Sequence, residues 1–192
     1  MKLPEELQPY HDPLEALQNL ISRFNQRGVV IGGIAASVLG RARYTDDLDA
    51  MFLLSTKDIY HFLEEAKQEG IEPRIENAAD FAKKSRVLLL RHVITNTEID
   101  VSLGILPFEQ EVVERSVLRE FDDSLQVRLP TPEDLVIMKA VAHRPKDLED
   151  IRTLVAKYPD LDLARIETWV KSFAEVMEMP ELWGQIESLL KE

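Results

Sequence analysis

The sequence predicts an α+β protein, with strands and helices mixed through the front of the chain and helices alone in the rear. Short apolar runs bounded by glycine alternate with amphipathic helical periods up to Leu129. Two of those runs, 86–95 and 98–103, lie close enough in sequence to pair as a hairpin. From Thr131 onward only helical periods remain, broken at Pro145, Pro159 and Pro180. This change of character divides the chain into an α/β core over residues 1–129 and a helical region over 130–192, expected to pack on that core.

Each element has a local reason. Asp12-Pro13 followed by Leu14, Leu17, Leu20, Ile21 and Phe24 predicts a helix with Asp12 at its N-cap and Gly28 as its stop. Val29 to Ile31 reads as a short buried strand, and Gly32-Gly33 turns the chain into a small-residue helix closed by Gly40. The run from Asp47 to Leu54 becomes apolar on both faces, the mark of a central strand. Ser55 can cap a helix through Gln68 that ends at Gly70. Residues 71–76 read as extended and 78–84 as a short helix. In the hairpin, Asn96-Thr97 lies near the turn; Ile99, Val101 and Leu103 face one side, and Glu98, Asp100 and Ser102 the other. A helix over 108–115 and a strand over 127–129 follow. Thr131-Pro132-Glu133 opens the rear helices with a capping hydroxyl and a first-turn acid.

The 192 residues suffice for one sizeable core. With no cysteine, disulfides, zinc–thiolate sites and thiol chemistry are excluded. The four histidines, His11, His61, His92 and His143, show no metal spacing. No run approaches the roughly 20 apolar residues needed to cross a bilayer, and the N-terminus lacks a signal-peptide core. A cytoplasmic protein without membrane contact is expected. The net charge of −12 opposes general nucleic-acid binding and equally suits a basic protein partner. A phosphate-bearing substrate would need a metal or a local basic patch. The candidate patches are Arg41 with Arg43, Lys83 with Lys84 and Arg86, and Lys139 with His143, Arg144 and Lys146.

The residues able to carry chemistry begin with Gly32 and Gly33. Glycine lets backbone N–H groups approach a ligand, and a helix start adds partial positive charge, so strand, turn and helix together can cradle phosphate. Asp47 and Asp49 lie two apart at the mouth of the central strand, on one face and roughly 7 Å apart. Two like charges there are costly unless a cation neutralises them, and Mg²⁺ takes oxygen ligands beside phosphates. Asp46 faces away or lies in the turn. A third carboxylate would serve a two-metal site, and Asp100 is the candidate, with Glu98 as its fallback. Lys139 emerges from a face formed by Leu135, Met138 and Ala142, and reads either as a lysine reaching out to water or as an ammonium for a triphosphate. Asp147 and Asp150 lie one helical turn apart, where first-turn acids also complement the helix dipole. Trp169 and Trp183 read as packing residues of the rear helices.

Gly32-Gly33, then Asp47-Leu48-Asp49, then Asp100 resembles the signature of the DNA polymerase β-like nucleotidyltransferase superfamily. Arg43-Tyr44-Thr45 before the acids is similar to the Arg-x-Thr-x-Asp-x-Asp form of bacterial minimal nucleotidyltransferases. The blocks 133–139 and 144–151 resemble the AbiEii-type toxins of abortive-infection systems. The likeness spans roughly residues 29–155. It implies a nucleotidyltransferase fold with a mixed sheet flanked by helices. It also implies transfer of a nucleoside monophosphate from an NTP to a hydroxyl of tRNA, protein or a small molecule. Mg²⁺ or Mn²⁺ would be held by Asp47, Asp49 and Asp100. Gly32, Gly33, Arg43, Thr45 and Lys139 would hold the nucleotide, and Asp147 would be a further catalytic position. A toxin-like member would have an antitoxin protein as partner. Gly33 stands where some members carry serine. Two other readings stay open: a catalytically silent nucleotide- or partner-binding module, and a scaffold with no ligand.

Overall fold

The computed structural model describes residues 2–121 and 125–191. Its main sheet is built from β1 (Gly28–Val30), β2 (Asp47–Phe52), β3 (Ile71–Pro73), β4 (Val87–His92) and β5 (Glu98–Leu103). The strand order is β1-β2-β5-β4-β3. β2 and β5 run parallel, while β1–β2, β3–β4 and β4–β5 are antiparallel, so the sheet is mixed. Parallel neighbours bring their N-terminal ends to one edge of a sheet. Here that edge carries Asp47 opposite Glu98 and Asp49 opposite Asp100.

Helices α1 (His11–Arg23), α2 (Gly32–Leu39), α3 (Ile59–Gln68), α4 (Ala78–Ser85) and α5 (Pro107–Arg115) flank the strands. The rear of the chain forms α6 (Pro132–Ala142), α7 (Pro145–Lys157), α8 (Leu163–Val176) and α9 (Leu182–Leu190). α2 explains its own composition. It packs against β2, α6 and α7, and Gly33 to Leu39 are all buried, which only small or apolar residues permit. Leu48 and Ala50 fill the covered face of β2, and Phe52 meets Phe62 of α3 at 4.9 Å between ring centres. Each such large side chain contributes roughly 1.5–3 kcal/mol by leaving water. Trp169 packs with Phe108 and Phe173, as expected of a helix-packing residue.

Several boundaries differ from the sequence reading. Tyr10, not Asp12, precedes α1, because a 3-10 helix over Glu5–Tyr10 feeds directly into it. β2 stops at Phe52: Leu53 N–H donates to the Arg27 carbonyl and Leu54 N–H to that of Phe52, which turns the chain. Ser55 does cap, but it caps a 3-10 turn over Thr56–Asp58 ahead of α3. β3 ends at Pro73, short of Glu76. A second, two-stranded sheet pairs β6 (Val117–Glu120) with β7 (Gln126–Leu129). β6 had no sequence signal because Val117, Arg119 and Glu120 are all exposed, leaving no alternation to read. Thr131 caps α6 as expected, accepting from Asp134 N–H at 3.2 Å.

Candidate active site

Asp47 and Asp49 are half-buried on one face of β2, with Leu48 and Ala50 buried on the other. Asp100 joins them from β5, across the strand from Asp49. Burial first, then the charges of Asp47 and Asp100, raises the Asp49 pKa; Lys139 and Arg144 oppose the rise. Among the described residues no hydrogen bond reaches the Asp49 carboxylate. Asp47 is fixed instead by Thr45, whose hydroxyl donates to its Oδ1 at 3.2 Å and lies 3.3 Å from its carbonyl. Asp46 is exposed.

The glycines are explained by the acids. Gly32 has φ +65°, and a Cβ there would lie 1.9 Å from Asp49 Oδ2. No other residue satisfies both the left-handed backbone and that approach. At Gly33 a Cβ would lie 2.4 Å from Thr45 Oγ1. A serine at position 33 therefore has no room, since the Thr45 hydroxyl already occupies that space. No side chain caps α2, which starts at Gly32, so its first N–H groups remain available to an anion beside Asp49. Ser37 is spent elsewhere, donating to the Arg43 carbonyl at 2.9 Å.

Asp100 is not free. The guanidinium of Arg74, just after β3, pairs with both Asp100 and Glu98. Burial raises the Asp100 pKa, and Arg74 is the main opposing influence. Among the described residues no three His, Cys, Asp or Glu side chains are arranged to hold one metal ion. The chemistry of the Asp47/Asp49 pair nevertheless fits a hard divalent cation: anionic oxygen donors, crowded by like charge and, among the described residues, without an ion-pair partner. The third donor of the expected set is engaged by Arg74.

Lys139 does not reach water. Its buried ammonium sits 2.9 Å from Asp147 Oδ1 and 2.8 Å from Asp150 Oδ2. Arg43 grips Asp150 with two nitrogens, at 3.1 and 3.0 Å. Arg144 holds Asp147 through Nε at 2.6 Å. Burial alone would raise the pKa of each aspartate. For Asp147, the hydrogen bonds of Arg144 and Lys139 outweigh it; for Asp150, those of Arg43 and Lys139 do, so both carboxyls stay below the ordinary range. Asp147, through its hydrogen bond, raises the Arg144 pKa most, and the charges of Asp49 and Asp47 add to the rise.

The structure thus gathers Gly32, Gly33, Thr45, Asp47, Asp49 and Asp100 at one edge. Arg43, Lys139 and Asp147 instead form an ion-pair network with Asp150 and Arg144, and the charges of Lys139 and Arg144 act on Asp49 from there. Sequence reasoning missed Arg74 and Tyr10. The Tyr10 hydroxyl donates to the Thr45 carbonyl, and burial, then Asp46 and Asp47, raise its pKa. Neither belongs to a spaced motif, so no sequence signal marked them.

A glycine turn opening a helix, two acids on the next strand and a third on its parallel neighbour define a protein of the nucleotidyltransferase class. The family follows from the sequence: residues 12–182 match the family described as nucleotidyltransferase of unknown function (DUF6036), and the chain belongs to it. No curated protein matches the chain. Solved structures share the fold. An antigenic nucleotidyltransferase-like protein from Paracoccidioides brasiliensis is 14% identical at TM-score 0.54, covering 96% of this chain and 93% of that one. The antibiotic-resistance factor ANT(2'')-Ia, in its solution structure, is 15% identical at TM-score 0.54, with 86% and 91% covered. The crystal structure of ANT(2'')-Ia with adenylyl-2''-tobramycin gives 16% identity and TM-score 0.53, with 85% and 95% covered. At these identities the likeness is one of fold. Among the described residues no helix is long and apolar enough to cross a membrane.

Proposed function

We propose that this protein transfers a nucleoside monophosphate from an NTP to a hydroxyl acceptor, with Mg²⁺ or Mn²⁺ held by Asp47 and Asp49. The observation that carries this reading is the Asp49 carboxylate, packed against Gly32 and crowded by Asp47 and Asp100, with no hydrogen bond to it among the described residues. The cation supplies Lewis-acid stabilisation of phosphate charge when bound. The chain's own residues do the rest. The N–H groups of the Gly32-Gly33 turn receive phosphate oxygens at the start of α2. Thr45 keeps Asp47 aimed. Arg144, more than half exposed at its side chain, offers a cation to the triphosphate. Lys139 acts at one remove: direct contact with the triphosphate would require it to abandon Asp147 and Asp150, so it adds positive potential beside Asp49 and holds those aspartates in place. Asp100, once Arg74 lets go, takes the acceptor's proton as its oxygen attacks the α-phosphorus and pyrophosphate leaves.

The acceptor is a hydroxyl of tRNA, protein or a small molecule. A toxin role with an antitoxin partner rests on the 133–139 and 144–151 blocks, whose Lys139 and Asp147 are ion-paired here. One observation favours a catalytically silent binding module instead: Arg74 occupying Asp100. The test incubates each labelled NTP with Mg²⁺ and tRNA, protein or aminoglycoside acceptors, for wild type and for Asp47→Asn/Asp49→Asn. Labelled acceptor and pyrophosphate from the wild type alone are expected. Equal labelling by both proteins rejects the assignment. Nucleotide binding without pyrophosphate release from any mixture selects the silent module.

A further inference from the structure

At the opposite end of β2 and β5 from the acids lies a cavity of about 770 Å³, within the size range of small-molecule sites. With a strand rise of about 3.3 Å, it stands roughly 20 Å from Asp47. In a chain with net charge −12 its charged lining is of the other sign: Arg27, Arg86 and Arg128 against Glu114. The three arginines come from distant points of the sequence and are gathered by the fold, not by a local basic run. Arg86 belongs to a basic patch of the sequence, yet it parts from Lys83, which pairs with Asp80.

Two of the guanidinium groups are fixed in place. Arg86 donates through Nε to the Leu103 carbonyl at 2.7 Å and through Nη2 to that of Leu54 at 3.3 Å, clasping the end of β5 to the turn that follows β2. Arg128 donates through Nε to Gln26 Oε1 at 3.2 Å and through Nη1 to Ser116 Oγ at 3.1 Å. Each keeps a terminal nitrogen outside those bonds. Among the described residues the Arg27 side chain has no hydrogen bond or ion pair, and it is exposed. Fixed forks with an adjacent free one form a donor set suited to phosphate oxygens.

The backbone points the same way. Asn25, Gln26 and Arg86 have φ of 53°, 60° and 58°, and all three line this cavity. A left-handed backbone costs a non-glycine residue about 1–3 kcal/mol, and glycine is the usual occupant of such helix-end positions. The chain keeps the penalty at all three, and each side chain so retained is a polar part of the cavity wall. Leu53, Leu54 and Val113 supply apolar lining beside them.

We infer that this cavity is an anion site for a phosphorylated small molecule, separate from the acid edge. The probes are inorganic phosphate, pyrophosphate and ATP, titrated calorimetrically into the full chain in EDTA so that no divalent cation assists the acid edge. Saturable binding of at least one probe is expected. Arg27→Glu, at a side chain without partners among the described residues, should weaken it tenfold or more, and Asp49→Asn should leave it within about twofold. Inorganic phosphate binding as tightly as ATP identifies the free oxyanion as sufficient; tighter ATP binding identifies an organic phosphate. Both support the site. No saturable binding below about 10 mM, binding unmoved by Arg27→Glu, or binding lost with Asp49→Asn overturns it.

Discussion

Asp49 is half-buried and among the described residues has no hydrogen bond to its carboxylate, and any side chain at position 32 would run into that carboxylate. Arg74 stands across the edge as a resident cation on Asp100. A guanidinium there competes with an incoming metal both for the carboxylate and by like charge. Arg74→Ala is therefore expected to bind Mn²⁺ about tenfold more tightly, roughly 1.4 kcal/mol, read from the free-ion signal in electron paramagnetic resonance. Weaker binding would mean instead that Arg74 presents Asp100 to the metal. At this scale the sequence was readable wherever residues stand at fixed spacing, as Asp47 and Asp49 do on one strand. Arg74 was opaque because its partner lies 26 residues away, and nothing local ties an exposed-looking arginine to a strand on another part of the sheet.

The α6–α7 pair is organised around the Lys139 ammonium and its two buried aspartates. The capping signal at Thr131 marked the start of α6, and the break expected at Pro145 is where α7 begins. Sequence periodicity could not show which way Lys139 points, since a lysine on an apolar face can reach either water or a buried partner. Removing one member of a buried ion cluster strands the others, at about 3–5 kcal/mol. Lys139→Met should lower the melting temperature by that equivalent, measured by calorimetry at neutral pH, while changing β2 little. Asp147 and Asp150 have folded pKa values below the ordinary carboxylate range. Their stabilisation is complete above that range and fades as pH falls through the folded values. The variant, lacking one of the groups that depress them, should unfold at a higher pH on acid titration than wild type. An unchanged acid midpoint would deny the cluster this role.

Across the whole molecule, a net charge of −12 is spread over one chain. Self-repulsion of that size destabilises the folded state and is screened by salt, with a Debye length of about 10 Å at 0.1 M. The melting temperature should rise between about 0.05 and 0.3 M NaCl, followed by circular dichroism at pH 7.5; a fall would show that the surface ion pairs outweigh the repulsion. The α+β class, the two acid-bearing strands as separate elements and the helical rear were legible because they follow from local period and capping. The parallel pairing of β2 with β5 and the gathering of the cavity arginines were not, since they depend on chain segments meeting through the fold. The same dependence governs how the molecule comes into being. Arg43 meets its partner Asp150 across 107 residues, so on the ribosome the first is made long before the second. A nascent chain can pair β2 with β5 while its acids still lack the cations carried by α6 and α7. The acid edge thus gains these neighbouring cations only after α6 and α7 have followed the sheet out of the ribosome.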